Sequence, residues 1–219
     1  MSHEQSAMQS YYAARASEYD RIYLKPERQT DLRAMERWLP PKFAAARVIE
    51  VACGTGYWTQ FIAPVASRVL ALDAAAETIG IAKTRVPEGK VDFLLGDAYA
   101  LPQHVGRFDA AFAGFWLSHV PLTRRREFLL GLAARLEPDA KVVFLDNRYV
   151  EGSSSPVTAR DAEGNTFQTR QLGDGSTHKV LKNFPSEAEL LELVAGLGER
   201  PVFTAWQYYW AFEYVARNP

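Results

Sequence analysis

The apolar positions of the chain follow two patterns, one before residue 40 and one from Arg47 onward. Before residue 40 they recur at helical spacings, as in Tyr19, Ile22 and Tyr23. We therefore predict two N-terminal helices within residues 10–38. From Arg47, short apolar runs alternate with helical stretches, which is typical of βα units around a parallel sheet buried on both faces. The runs predict five strands, at residues 48–52, 69–72, 91–95, 108–112 and 142–145.

Two later helices have readable ends. Thr123 is a candidate N-cap for a helix with one apolar face, and Pro138 is expected to end it. Ser186 and Glu189 have the spacing of a capping box at the start of a second helix. The first of these helices precedes the fifth predicted strand, and the second begins after residue 185.

The segment between these helices, residues 148–185, is longer than an ordinary α/β connection. Residues 166–172 and 177–182 flank a glycine-rich turn at Gly173, so we predict an inserted β-hairpin. Residues 201–216 are rich in aromatic and β-branched types and predict two final strands.

The amino-acid composition excludes several classes of protein. The chain has 219 residues, 47% hydrophobic and 23% charged, as expected for one globular domain. A net charge of −1 disfavours nucleic acid as a partner. Cys53 is the sole cysteine and the four histidines lack metal-ligand spacing, so we expect neither a disulfide nor a metal site. Because no long apolar run is present, we expect a cytoplasmic protein without a membrane partner.

A glycine turn follows the first predicted strand and opens a helix. Gly54 and Gly56 allow a ligand to approach the backbone closely. Tyr57 and Trp58 stand where a pyrophosphate needs bare backbone, so a dinucleotide is disfavoured. Asp73, seventeen residues after Gly56 at the end of the second strand, has the position of a carboxylate that binds a ribose diol. The turn therefore predicts a ligand with a ribose and without a pyrophosphate.

These residues and a third motif after the third strand form an ordered set. The set resembles the motifs of the class I S-adenosylmethionine-dependent methyltransferases over about residues 45–147: Glu50, Gly54, Gly56, Asp73 and the run Gly96, Asp97, Ala98. The resemblance implies an α/β fold: a single-domain, Rossmann-like, seven-stranded and mostly parallel sheet with helices on both faces, N-terminal cap helices and an inserted β-hairpin. It further implies S-adenosylmethionine as the cofactor.

The resemblance also divides residues 1–219, a single methyltransferase domain, into four parts. Residues 1–40 form an N-terminal helical cap, and residues 41–147 form the cofactor-binding core. Residues 148–185 hold the inserted hairpin, and residues 186–219 hold the last helix and the C-terminal strands.

For the methionine and ribose parts of the cofactor, the resemblance implies specific roles. The backbone from Gly54 to Gly56 would lie against the methionine, and Glu50 would act near its amino group. Asp73 would bind both ribose hydroxyls. Ala52 stands where the family usually has its first glycine, and its methyl group is expected to tighten the pocket or shift the turn slightly.

For the adenine part, the resemblance implies that Asp97 accepts from the exocyclic amine and that the Ala98 N–H donates to a ring nitrogen. Ala74 would line an apolar slot for the base. Trp58 of the glycine turn and Phe115 after the fourth strand complete the expected cofactor-binding residues.

The segment after the fourth strand lies at the carboxyl edge of the predicted sheet, where the acceptor is expected. His119 is our candidate catalytic base, with a structural role in the loop as the alternative. Tyr11, Tyr12, Trp116 and Arg148 are, with His119, the candidate substrate residues.

We therefore predict methyl transfer from S-adenosylmethionine to an oxygen or nitrogen of a small organic acceptor. A non-catalytic S-adenosylmethionine-binding module is the alternative, and a nicotinamide-dependent oxidoreductase is a more distant one. The hairpin is expected to serve acceptor recognition or subunit contact, which leaves a homodimer open. Its basic residues, Arg170 and Lys182 among them, suit either an acceptor with a carboxylate or simple solubility.

Overall fold

The fold is built on a seven-stranded sheet next to a smaller one. The structure is a computed structural model, and it describes Tyr11 and residues 15–217. Its strands are β1 (Arg47–Val51), β2 (Arg68–Asp73), β3 (Val91–Leu95), β4 (Phe108–Gly114), β5 (Leu136–Asn147), β6 (Val157–Arg160), β7 (Thr166–Gln171), β8 (Thr177–Leu181), β9 (Gly198–Ala205) and β10 (Tyr209–Ala216).

The central sheet has the order β3-β2-β1-β4-β5-β10-β9. Strands β1 to β5 are parallel, and β10 runs antiparallel between β5 and β9. This arrangement confirms the predicted mostly parallel, seven-stranded α/β sheet. Because the first five strands are parallel, the segments that follow β1, β2, β3 and β4 all emerge at one edge.

Five α-helices with described bounds and several 3₁₀ turns accompany the sheet in the described part of the chain. The α-helices are α1 (Gln29–Trp38), α2 (Thr59–Ile62), α3 (Ala76–Lys83), α4 (Arg125–Ala133) and α5 (Glu187–Val194). The Ser186–Glu189 capping box at α5 is confirmed. No helix among the described residues combines the length and the apolarity that crossing a membrane requires.

Of the two predicted N-terminal helices, the second is confirmed as α1, and the described residues of the first differ from an α-helix. Residues Ala16–Leu24 form a 3₁₀ helix, followed by a one-turn 3₁₀ helix at Pro26–Arg28 and then by α1. Pro26 interrupts the helical pattern because it lacks an N–H group and restricts the residue before it. The predicted helical segment is therefore broken into shorter pieces.

The predicted ends of the helix after the fourth strand were also wrong. Thr123 lies inside a 3₁₀ turn at Leu122–Arg124, and no side chain caps α4. Pro138 lies within β5 rather than behind α4. Strand β5 pairs with β4 at Leu136 and resumes after an irregularity, so its proline occupies the unpaired stretch where no N–H donor is needed.

Alternating side chains bury both faces of the sheet. Ile49 and Val51 of β1 pack in the cluster that contains Phe128 of α4 and Leu190 of α5. Val48, which directly precedes Ile49 on β1, packs in the cluster of α1 and α2 on the opposite face. The two-sided burial explains the continuous apolar runs in the sequence.

The inserted segment is a three-stranded antiparallel sheet in the order β6-β7-β8 rather than a two-stranded hairpin. Strands β7 and β8 confirm the predicted hairpin. Strand β6 was missed because it has only four residues, most of them exposed, and so contributes no apolar run. Just after β8, the Asn183 N–H donates to Ser118 O at 2.8 Å, which attaches the small sheet to the edge that follows β4.

Candidate functional site

The glycine turn after β1 has a backbone that only a few residue types adopt easily. Ala52, Gly54 and Gly56 have φ values of 55°, 56° and 74°, in the left-handed region that favours glycine. A Cβ on Gly56 would lie 2.9 Å from the Cβ of Ala82 in α3. Gly56 is therefore required for α3 to pack against the turn. Ala52 shows that the turn keeps its left-handed conformation with a methyl group in place.

Two carboxylates lie under this turn, in different surroundings. Glu50 is 1% exposed, and its Oε2 has no hydrogen-bond partner among the described residues. Burial raises the pKa of Glu50 to about 8. Asp73 accepts hydrogen bonds from the Gly54 N–H at 2.8 Å, the Ala75 N–H at 3.0 Å and the Thr78 hydroxyl at 3.0 Å. Asp73 thus holds the turn, while Glu50 is ready to accept from a cationic ligand.

Apolar side chains surround the end of β3. Asp97 accepts from the Tyr99 N–H at 2.9 Å, and Ala98 is 7% exposed. Trp116 packs edge-on against Tyr99 and Phe128, with ring centroids 6.0 and 6.2 Å apart. This arrangement gives one acidic side chain beside an apolar slot, which suits a flat base that donates a hydrogen bond.

The 3₁₀ helix at Ala16–Leu24 lies over the glycine turn. Tyr19 Cε1 is 3.9 Å from the position a Cβ would take on Gly54. Tyr23 stacks on Tyr57, with ring centroids 3.5 Å apart. The Thr55 hydroxyl donates to Asp20 Oδ1 at 2.6 Å. The N-terminal segment therefore closes over the ligand-binding turn.

A polar cavity of about 320 Å³ opens beside this cover. Tyr19 and Phe115 belong both to its lining and to the surroundings of the glycine turn, so the cavity adjoins the place where the ligand of the turn would lie. Tyr11, Ile22, His119 and Phe184 also line it. Its remaining lining residues are Arg15, Lys25, Arg28, Asn147, Ser153, Ser154, Ser155, Gln168, Thr169, Arg170, Gln171 and Lys182.

His119 lies in the wall of the cavity, just after β4. Its Nδ1 is 2.6 Å from Leu181 O. Because a carbonyl oxygen only accepts, Nδ1 must carry the proton, which makes Nε2 the basic nitrogen of the neutral ring. Burial, together with the charges of Lys182 and Arg170, lowers the pKa of His119 well below its usual value. The ring is therefore neutral at pH 7 and is able to accept a proton.

Lys182 attaches the small sheet to the cavity floor through a buried ion pair. Its Nζ donates to Asp146 Oδ1 at 2.7 Å and to Ser118 Oγ at 2.6 Å. Side-chain exposure is 4% for Lys182 and 0% for Asp146. Burial lowers the pKa of Lys182, while Asp146 opposes that shift. The pair links the end of β5, the segment after β4 and the end of β8.

Similarity to known proteins agrees with this geometry. A family model for the methyltransferase domain matches residues 48–139. The demethylmenaquinone methyltransferase of Lactococcus lactis is 31% identical over 111 residues, which cover 47% of this chain and 42% of that protein. The chain therefore spans less than half the length of this curated relative.

Two solved structures are similar over essentially the whole chain. The complex of DhpI with SAH has a TM-score of 0.82 at 29% identity and covers 100% of both chains. The complex of DhpI with SAM and HEP has a TM-score of 0.81 at 31% identity, covering 98% of this chain and 99% of DhpI. The chain belongs to the class I S-adenosylmethionine-dependent methyltransferases.

The cofactor residues predicted for this methyltransferase converge at one edge of the sheet. Glu50, Gly54 and Asp73 are connected through β1, β2 and the glycine turn. The buried Oε2 of Glu50 and the open backbone of the turn fit the ammonium and the methionine chain of S-adenosylmethionine. Ala74 is exposed beside Asp73, and Trp58 is buried against Phe115 at a centroid distance of 6.1 Å.

The predicted substrate residues of the methyltransferase do not all lie in the same place. Tyr11 and His119 line the cavity. Trp116 packs on the Asp97 side instead, and Arg148 is exposed and donates to Trp206 O at 2.7 Å. Tyr12 lies outside the described residues.

Sequence reasoning missed several cavity residues, including Arg15, Lys25, Arg28 and Gln168. They lie in two segments about 140 residues apart, and nothing in their spacing relates one segment to the other. The available signal was the basic character of the hairpin, which included Arg170 and Lys182. The basic character of the hairpin did not reveal which of its cations face the cavity.

Proposed function

We propose that this chain transfers the methyl group of S-adenosylmethionine to an oxygen or nitrogen of a small organic acceptor. The observation that carries the proposal is the polar cavity of about 320 Å³, which shares Tyr19 and Phe115 with the cofactor edge and has His119 in its wall. Its volume suits a ligand of small-molecule size. The DhpI complex contains HEP as well as SAM, which supports a second ligand in addition to the cofactor.

The roles of the residues follow from their surroundings. Glu50, ionised, binds the cofactor's ammonium, and Asp73 binds the ribose diol. When bound, S-adenosylmethionine supplies a methyl group that is electrophilic because it is attached to a positive sulfonium. The protein must then align the acceptor and exclude water. The aromatic cover of Tyr19 and Tyr23 serves that exclusion.

His119 acts as general base in this proposal. Nδ1 donates to Leu181 O, so the lone pair of Nε2 takes the proton that the acceptor loses as its new bond to the methyl carbon forms and the bond from that carbon to sulfur breaks. The ring is neutral at pH 7, so its base form is present, and its lowered pKa makes it a weaker base than an exposed histidine. The small sheet contributes Gln168 and Arg170 to the cavity, so we infer that it serves acceptor recognition.

The experiment is incubation of the purified protein with S-adenosylmethionine and a panel of small alcohols, phenols, amines and hydroxy acids. Release of S-adenosylhomocysteine, with a gain of one methyl mass in the acceptor, is the expected result. Binding of S-adenosylhomocysteine without turnover on any acceptor class would instead support a non-catalytic binding module. Absence of binding would contradict the proposal.

A further inference from the structure

Phe115, directly after β4, has a backbone conformation that a bulky side chain rarely adopts. Its φ is 57°, in the left-handed region that favours glycine. The Phe115 N–H donates to Leu145 O of β5 at 2.7 Å, and a Cβ on Gly114 would lie 2.9 Å from Cδ1 of Trp58. The bond to β5 and the close approach of Trp58 hold the chain in this conformation. Strained residues of this kind cluster at ligand sites, where the surrounding structure compensates for the strain.

The Phe115 side chain lies between the two halves of the site. Its ring packs against those of Tyr23, Trp58 and Tyr209, with centroids 6.0, 6.1 and 5.8 Å away. Trp58 follows the glycine turn in the sequence, on the cofactor side. Phe115 also lines the polar cavity, on the acceptor side. In the proposed function the methyl group passes from the first side to the second, which places Phe115 next to the transfer.

An aromatic ring is well suited to contact a sulfonium at this position. The described lining of the cavity contains no Asp or Glu. A carboxylate there would balance the positive charge, but it would also be a nucleophile that competes for the methyl group. The face of an aromatic ring is electrostatically negative, so it attracts a cation without offering a lone pair to the methyl carbon. Recognition of the charge and protection of the methyl group are therefore compatible in one side chain.

The cavity and the surroundings of the glycine turn share two aromatic residues, Tyr19 and Phe115. The guanidinium of Arg15 lies 5.3 Å from the centroid of the Tyr19 ring, so this ring already interacts with a cation. A second positive charge beside Tyr19 would be repelled by the first. Phe115 packs on aromatic neighbours instead. The contact with a sulfonium is therefore assigned to Phe115 rather than to Tyr19.

We propose that the Phe115 ring recognises the positive sulfonium of S-adenosylmethionine and makes the site prefer S-adenosylmethionine over S-adenosylhomocysteine. This inference rests on the proposed function, because it takes the polar cavity as the acceptor side. As the acceptor bonds to the methyl carbon, the bond from that carbon to sulfur breaks, and its electron pair stays on sulfur, which becomes neutral. The attraction to the ring is then lost. Phe115 therefore favours binding of the cofactor and release of the product.

The test is calorimetric titration of S-adenosylmethionine and of S-adenosylhomocysteine into the wild type and into Phe115→Leu, without an acceptor. Leucine keeps an apolar side chain at this position but lacks an aromatic face. The readout is the ratio of the two dissociation constants, because a purely structural loss weakens the binding of both ligands alike. The preference for S-adenosylmethionine should fall about three- to tenfold in Phe115→Leu. An unchanged ratio in the folded variant would overturn the inference.

A matched control and a second replacement separate electrostatics from packing. Phe43→Leu removes a buried ring that packs on Phe112 in the same apolar cluster as Phe115, but Phe43 is not in the described lining of the cavity. It should leave the ratio within about twofold of the wild type. Pentafluorophenylalanine in place of Phe115 keeps the shape of the ring but reverses the charge of its face, so it should lower the preference even if Phe115→Leu fails to fold. A wild-type ratio in the pentafluorinated protein would equally contradict the assignment.

The same measurements separate this inference from the proposed function. A lowered ratio in Phe115→Leu, with no turnover by the wild type on any acceptor class, would keep the aromatic contact and reject methyl transfer. A ratio that neither replacement changes, with turnover by the wild type, would reject only the aromatic contact. Absence of binding of both ligands to the wild type would reject both.

Discussion

The two halves of the site differ in how the chain builds them. The cofactor edge comes from short motifs that follow consecutive strands, and its charged groups include the carboxylates Glu50, Asp73 and Asp97. The cavity proposed for the acceptor comes from the N-terminal segment, the segment after β4 and the inserted sheet, and the charged residues in its described lining are cations. A local motif is enough for the first half. The second half exists only where distant segments meet.

The two halves of the site also differ in the interactions that stabilise them. Asp73 is held by the backbone of its own neighbourhood, so the cofactor edge depends little on the inserted sheet. The cavity depends on the buried pair of Lys182 and Asp146, which connects segments 36 residues apart. We therefore expect substitutions at the cavity to destabilise the whole fold, and substitutions at the cofactor edge to have only local effects.

The largest expected effect is on the free energy of unfolding of Lys182→Met. The change leaves Asp146 as a buried charge without its partner, which costs about 3–5 kcal/mol. Urea denaturation measures it. Arg68→Met breaks the exposed pair with Asp92 and should cost less than about 1 kcal/mol. Similar losses in both variants would contradict the dependence of the cavity on its buried pair.

The next effect is on turnover, in His119→Gln. Gln retains a donor for Leu181 O but lacks the basic Nε2, so kcat should fall about 10²-fold while affinity for S-adenosylhomocysteine stays within a factor of a few. Steady-state kinetics and calorimetry measure the two quantities. Unchanged turnover would remove the base role and leave His119 with a structural role in the loop.

The pH profile of the wild type gives a second readout for His119. Its lowered pKa keeps the ring neutral below the usual titration range of histidine. Since the base form is then already present, kcat/KM should not fall by half near pH 6.5 as it would for an exposed histidine. A drop centred near 6.5 would show an ordinary, solvated histidine.

At the cofactor edge, Asp73→Ala should weaken S-adenosylhomocysteine at least tenfold, because two ribose hydroxyls lose a charged acceptor. Calorimetry measures the affinity. The melting temperature of Asp73→Ala provides the control, because Asp73 also holds Gly54 and Thr78. Equal affinities in wild type and variant would remove Asp73 from the cofactor site.

The smallest expected effect is on the pH dependence of cofactor affinity. Free Glu50, with a pKa of about 8, is mostly protonated at pH 6.5, whereas binding the ammonium requires the carboxylate. Affinity for S-adenosylhomocysteine should therefore rise about tenfold from pH 6.5 to pH 8. Glu50→Gln should abolish this slope. A flat profile in the wild type would show that Glu50 does not meet the ammonium.

The sequence by itself determined the α/β sheet and the cofactor edge. Continuous apolar runs are required of strands buried on both faces, and the turn at Gly56 requires a residue without a Cβ, because Ala82 of α3 lies against it. The apolar runs and the glycine turn each involve residues that are close together in the sequence, so both remain visible in the chain as short patterns. The capping box at Ser186 and Glu189 is visible for the same reason.

Only the tertiary structure decided which cations face the cavity. Arg148 follows β5 directly and was the expected candidate, yet it is exposed, whereas Arg28 and Lys182 are buried in the cavity wall. Arg28 and Lys182 are more than 150 positions apart, and each fits an ordinary surface pattern in its own segment. Their inward orientation depends on Ser153, Asn147 and Asp146, which reach them only after the N-terminal segment and the small sheet have packed on the core. Long-range hydrogen bonds of this kind leave no periodic trace in the sequence.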